Sequence, residues 1–134
     1  KEFYAENNVT PVSLDDLIEN SDVITLHLPF DDSTKNIMNQ KRLQMLKSNA
    51  VLINLARGGL IDEATLKEML INNKIAGAAL DVFEIEPPVD PSFATMDNVL
   101  ITPHIGGSTE EAILAMGMAA IEGLENSKDP LDFL

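Results

Sequence analysis

Three polar residues in this chain each follow an apolar run: Arg57 after AVLINLA, Glu86 soon after IAGAALDVF, and His104 after NVLITP. Each run has the length and aliphatic content of a short buried strand. In an open α/β sheet, ligands collect beyond the carboxyl ends of the strands. A guanidinium placed there grips a carboxylate through two parallel hydrogen bonds. A histidine supported by a carboxylate can exchange a proton with a carbonyl oxygen or its alcohol. Such a set suits the reduction of a 2-oxo acid or the oxidation of a 2-hydroxy acid. One part is missing: no G-x-G-x-x-G occurs, so the turn that would cradle a dinucleotide pyrophosphate is not among these residues.

Each residue also has an ordinary structural explanation. Arg57 is compatible with a surface arginine at a strand end, His104 with a structural hydrogen bond, and Glu86 with a solvated loop position. Gly58 and Gly59 would let the backbone turn sharply and approach a ligand closely. Pro87 and Pro88 would stiffen the position of Glu86. His104 should lie beside a helix N-terminus, whose dipole disfavours imidazolium, while a nearby carboxylate would favour it. His27, within H-x-P at a strand end, reads as a packing residue. Asp81, at the end of an apolar strand, could cap local amides or accept a hydrogen bond from a bound amide group. The six methionines lie mostly on apolar helix faces and read as core. Two histidines and no cysteine make a poor case for a metal, and no metal site is assigned. Neither a Walker motif nor G-x-S-x-G occurs.

The elements that must position these residues follow from pattern. VTPV (9–12) reads as a short strand, and Ser13 caps a helix to about Asn20 with Asp15 and Asp16 in its first turn. DVITLHL (22–28) is a β-branched run stopped by Pro29, as a buried parallel strand should be. Asn39 caps a short helix over QKRLQML; AVLINLA (50–56) is a strand; Asp62 caps ATLKEMLINN, with Leu66, Met69 and Leu70 on one face. IAGAALDVF (75–83) and NVLIT (98–102) are strands separated by a long Pro-rich loop. Ser108 would cap a last helix over about 108–126, with Ile113, Met116, Ala120, Ile121 and Leu124 as its apolar stripe, before a loose tail. This alternation predicts an α/β fold with a parallel sheet and right-handed crossovers.

The 134 residues suit one domain with a sizeable core, and 45% hydrophobic residues favour folding over disorder. Nine basic against 22 acidic side chains give a net charge of −13, which argues against nucleic acid and anionic membrane surfaces as partners. The acidic surface reads as solubilising. Without cysteine, a signal-peptide core or a membrane-length apolar run, a cytoplasmic location is expected.

Four segments resemble hallmarks of the D-isomer-specific 2-hydroxyacid dehydrogenases: DLIENSDVITLHLPFDDSTKNIMN, LKSNAVLINLARGGLID, ALDVFEIEPP and NVLITPHIGGSTEEA. The likeness runs from about Val12 to Leu124, and PHIGGSTEEA is similar to the phosphoglycerate dehydrogenase branch. It implies that Arg57 binds the substrate carboxylate and carbonyl, and that His104 exchanges a proton with the substrate oxygen. It implies that Glu86 hydrogen-bonds that histidine. Asp81 would lie near the nicotinamide carboxamide, while Leu28, Pro29, Leu55, Ala56, Gly106 and Gly107 would line the NAD pocket. The family's glycine-rich turn and ribose-binding acid would precede Lys1, and its substrate-binding domain has no counterpart here. The expectation is a Rossmann-like NAD-binding domain truncated on its N-terminal side, with a small 2-hydroxy or 2-oxo acid as substrate. NAD is expected over NADP, and a homodimer through exposed edges. The alternatives are a dehydrogenase-like corepressor that senses the nucleotide and binds proteins, or an inert fragment.

Overall fold

The computed structural model describes Tyr4 and residues 6–127. They fall into two compact units, Lys1–Pro103 and His104–Leu134. In the first, α1 (Leu14–Asn20) leads into β1 (Val23–Leu26), α2 (Gln40–Leu43), β2 (Val51–Asn54), α3 (Glu63–Ile71) and β3 (Gly77–Leu80). A 3₁₀ turn (Pro91–Thr95) and β4 (Val99–Ile101) follow, and the second unit holds α4 (Glu110–Glu125).

Local chemistry starts α1, α2 and α3. Ser13, Asn39 and Asp62 sit in extended conformation and accept hydrogen bonds from the amides of Asp16, Arg42 and Thr65. Each satisfies a donor that the helix leaves unpaired. The strands form one parallel sheet in the order β1-β2-β3-β4. In-register rows alternate between its faces. Ile24, Leu52 and Ala78 form one buried row, and Leu26, Asn54 and Leu80 another. Their apolar members join Ile18 of α1, Leu43 of α2 and Leu66, Met69 and Leu70 of α3 in a single core. Fully burying an aliphatic side chain of this kind stabilises the fold by about 1.5–3 kcal/mol.

The other face differs from expectation. Continuous apolar runs predict strands buried on both sides, yet Val23 is 58% and Leu100 66% exposed, and Thr25, two residues after Val23 and in the same cross-sheet row as Leu100, is exposed too. Within this unit the described helices cover only one face. Residues 9–12 are not a strand: Val9 and Val12 are exposed, and Pro11 has no amide to offer a ladder. The long loop is not bare either, because Asp90 caps its 3₁₀ turn and Phe93 is buried in the core.

In the second unit, Thr109 and not Ser108 caps α4, its Oγ1 accepting from the Ala112 amide at 3.1 Å. None of the α4 side chains is buried, so Met116 and Met118 are not core; of the other methionines, Met38 and Met69 are buried and Met45 and Met96 pack against the core. The expected loose tail lies largely outside the described residues.

Candidate functional site

The loop after β2 is shaped from its own strand. Asn54 is 2% exposed at the carboxyl end of β2. Its Oδ1 accepts from the Ala56 amide at 3.1 Å, and its Nδ2 donates to the Arg57 carbonyl at 2.9 Å. Arg57 is thereby presented at the strand end, exposed, with Nη1 donating to the Ala56 carbonyl at 2.6 Å. It lines an open cleft of about 620 Å³ with His27, Leu28, Pro29, Phe30, Leu55 and Ala56. Four of the expected pocket residues thus meet Arg57 beyond the carboxyl ends of β1 and β2.

The two glycines after Arg57 both meet other parts of the chain closely. A Cβ on Gly58 would lie 1.9 Å from the Phe83 carbonyl oxygen and 2.7 Å from the Glu84 nitrogen. The Arg57 loop therefore rests directly on the backbone of the loop after β3. Gly59 has φ +78, a left-handed turn, with the Phe30 ring over it. The loop after β1 is tied to this turn as well, because the Asn36 amide donates to the Gly59 carbonyl at 2.8 Å. Within that loop Asp31 accepts from Ser33, which holds its carboxyl below the ordinary value.

His27 lies past the end of β1 and is exposed in the cleft, with Nε2 3.0 Å from Thr25 Oγ1; it is not a packing residue. Asp81 is 2% exposed just past β3, its amide donating to the Asn54 carbonyl at 3.0 Å. One carboxylate oxygen accepts from Thr102 Oγ1 at 2.5 Å.

Glu86 is exposed, and its Oε1 accepts from the Phe83 amide at 3.0 Å. This bond closes the Phe83–Glu86 turn; the Glu86–Pro87 peptide is cis. The next amide, of Glu84, donates to Glu63 Oε1 at 2.6 Å. Burial pushes the Glu63 carboxyl up from its ordinary value, and Glu84 and Glu86 add to that rise against the pull of the amide. Further along, Asp90 pairs with Lys67 of α3. The Lys67 hydrogen bond, with that from Ser92, holds Asp90 at about 2. Phe83 and Phe93 pack ring to ring at 5.8 Å.

The second unit opens on His104, exposed and at φ 54, a backbone region uncommon for residues other than glycine, asparagine, aspartate and histidine. Gly106 and Gly107 follow in a turn in which the Ser108 amide donates to the Ile105 carbonyl at 2.9 Å. Nothing lies within 4 Å of a Cβ on Gly107. Three residues with structural roles at the site escape a reading of the sequence. Asn54 carried a signal, as the one polar side chain inside AVLIN; Glu63 and Lys67 carried none.

The model of the D-isomer specific 2-hydroxyacid dehydrogenase NAD binding domain matches residues 1–106. The chain belongs to this family. Its matched region takes in Arg57, Asp81, Glu86, His104 and Gly106, and stops before Gly107 and α4. The D-3-phosphoglycerate dehydrogenase of Methanocaldococcus jannaschii is 47% identical over 112 residues, covering 84% of this chain and 21% of the relative. The hydroxypyruvate reductase of Thermotoga maritima is 44% identical over 114 residues, covering 83% of this chain and 37% of the relative. Among solved structures, the NAD-complexed D-isomer specific 2-hydroxyacid dehydrogenase of Lactobacillus delbrueckii aligns with a TM-score of 0.80 at 32% identity, over 93% of this chain and 43% of that one. The chain thus spans less than half the length of each of these relatives.

Proposed function

We propose that this chain is part of the NAD-binding domain of a larger NAD-dependent oxidoreductase that oxidises the CH–OH group of a D-2-hydroxy acid and reduces the matching 2-oxo acid. The observation that carries the reading is Arg57, held by buried Asn54 at a strand-end cleft. Its loop lies against the loop that bears Glu86. Identity to phosphoglycerate dehydrogenases supports 3-phosphoglycerate as a substrate, and a panel of 2-oxo acids would decide it.

The cleft fits the nicotinamide end of the cofactor: about 620 Å³ is within the usual range for ligand pockets, and its walls at Leu28, Pro29, Leu55 and Ala56 are apolar. Bound NAD would supply or accept the hydride. Asp81 belongs near the carboxamide of that ring. Arg57 fixes the substrate carboxylate in a bidentate grip, which orients the neighbouring carbonyl. His104 donates a proton to the developing alkoxide and takes it back in the reverse direction. Glu86 is the carboxylate that supports the histidine's charged form. The same reading gives the parent protein a cytoplasmic location and a homodimeric state. No helix among the described residues is long and apolar enough to cross a membrane.

The test is NADH oxidation by the full gene product with a panel of 2-oxo acids. Turnover with at least one of them, lowered about 100-fold or more in His104→Ala, is expected. No turnover with any of them, or an unimpaired His104→Ala, would overturn the reading.

A further inference from the structure

We propose that Glu63 is a positioning residue for the acidic turn that bears Glu86; this rests on the dehydrogenase reading above. Glu63 opens α3, but the helix does not need its side chain. Asp62 already caps the helix, accepting from the Thr65 amide at 3.0 Å. The half-buried Glu63 carboxylate turns to the loop after β3 instead and accepts the Glu84 amide at 2.6 Å. The preceding amide, of Phe83, goes to Glu86 itself at 3.0 Å. Two successive amides of one turn are thus taken by two carboxylates, one on the rigid helix and one on the side chain to be positioned. The Phe83 carbonyl is in turn packed against Gly58, which leaves the backbone of the turn no room on that side.

Charge repulsion makes this arrangement costly in the absence of a role. The protein keeps three carboxylates, Glu63, Glu84 and Glu86, close enough that the latter two raise the proton affinity of the first. A neutral acceptor at position 63 would hold the amide without that repulsion. The same helix face supplies a second anchor one turn on, where Lys67 pairs with Asp90. Residues four apart on a helix share a face. Glu63 and Lys67 therefore clamp the loop on either side of Glu86. A side chain on a Pro-rich surface loop is thereby fixed by a regular helix, which is what a proton-transfer site needs.

The test compares Glu63→Ala and Glu63→Gln in the full gene product. Glutamine retains an oxygen that can accept the Glu84 amide, whereas alanine leaves that amide unpaired. Glu63→Ala should lower kcat about tenfold, the factor expected from one charge-assisted hydrogen bond lost from a preorganised turn, with KM for NADH changed less than about twofold. Glu63→Gln should restore kcat to within about threefold of wild type. Exchange of the Phe83 and Glu84 amides with solvent, followed by NMR, should quicken in the alanine variant and recover in the glutamine variant. Unchanged kcat and exchange in Glu63→Ala would overturn the proposal, as would a glutamine variant as impaired as alanine. If the wild-type protein proves inactive on every 2-oxo acid, the dehydrogenase reading fails. The exchange experiment then still decides whether Glu63 holds the turn.

Discussion

Replacing Gly58 by alanine should separate the two loops that build the site. The added Cβ would sit 1.9 Å from the Phe83 carbonyl oxygen and 2.2 Å from its carbon. Contacts under 3.0 Å do not persist, so one backbone must retreat by at least 1.1 Å. Neither neighbour is a flexible side-chain tip. On one side the Phe83 ring is buried against Phe93; on the other, Asn54 holds the Arg57 loop to β2. Forcing a group into a packed site costs about 1–3 kcal/mol, and the rigid partners place this one in the upper half of that range. For a chain of this size that lowers Tm by roughly 5–12 °C. Thermal unfolding followed by far-UV circular dichroism measures it, with Gly107→Ala as the control because nothing lies within 4 Å of that position. A Tm for Gly58→Ala within about 2 °C of the control would refute the inference that these backbones are in rigid contact.

Asn54→Ala removes the acceptor for the Ala56 amide and the donor to the Arg57 carbonyl, and should destabilise the chain by about 2–4 kcal/mol in urea unfolding; a loss under about 0.5 kcal/mol would contradict the role given to Asn54. Asp90 titrates at about 2 when folded against 3.8 when free, so its contribution is full above 3.8 and drains as pH falls toward 2. Urea midpoints of the wild type and Lys67→Met, taken between about pH 5 and pH 2, should therefore converge on acidification; a gap that stays constant would mean the Lys67–Asp90 pair contributes nothing. Glu63 has the opposite sign: its raised folded value means that ionising it above 4.5 costs stability, so it cannot mimic this acid loss.

What the sequence disclosed depended on how local each determinant is. Ser13, Asn39 and Asp62 were readable as caps because the bond they make spans only three residues. The same rule misplaced the start of α4 by one position, where Ser108 and Thr109 both carry hydroxyls and only the backbone conformation chooses between them. Aliphatic runs located the four strands, but hydrophobicity does not say which face is covered. Val23 and Leu100 are apolar and exposed, alternating with buried Ile24 and half-buried Val99 and Ile101. Arg57 was legible from its place after a strand. The group that presents it, Asn54, works through a side-chain to backbone loop closure that periodicity does not detect. Glu63 was hidden behind Asp62, since two adjacent acids at a helix start read as one cap and one dipole partner. Its contact with Glu84 is 21 residues away in sequence and belongs to tertiary structure alone.

The most direct test of the central claim, that the strand-end cleft takes the nicotinamide end of the cofactor, is a titration of the isotopically labelled chain with reduced nicotinamide mononucleotide, read from amide chemical shifts. The account predicts saturable shifts at Leu28, Phe30, Leu55, Ala56 and Arg57, which line that cleft. It predicts none at Gln44, Glu68 and Asn72, which line a separate depression between α2 and α3. Saturable shifts confined to the second group, or none at the first, would contradict it.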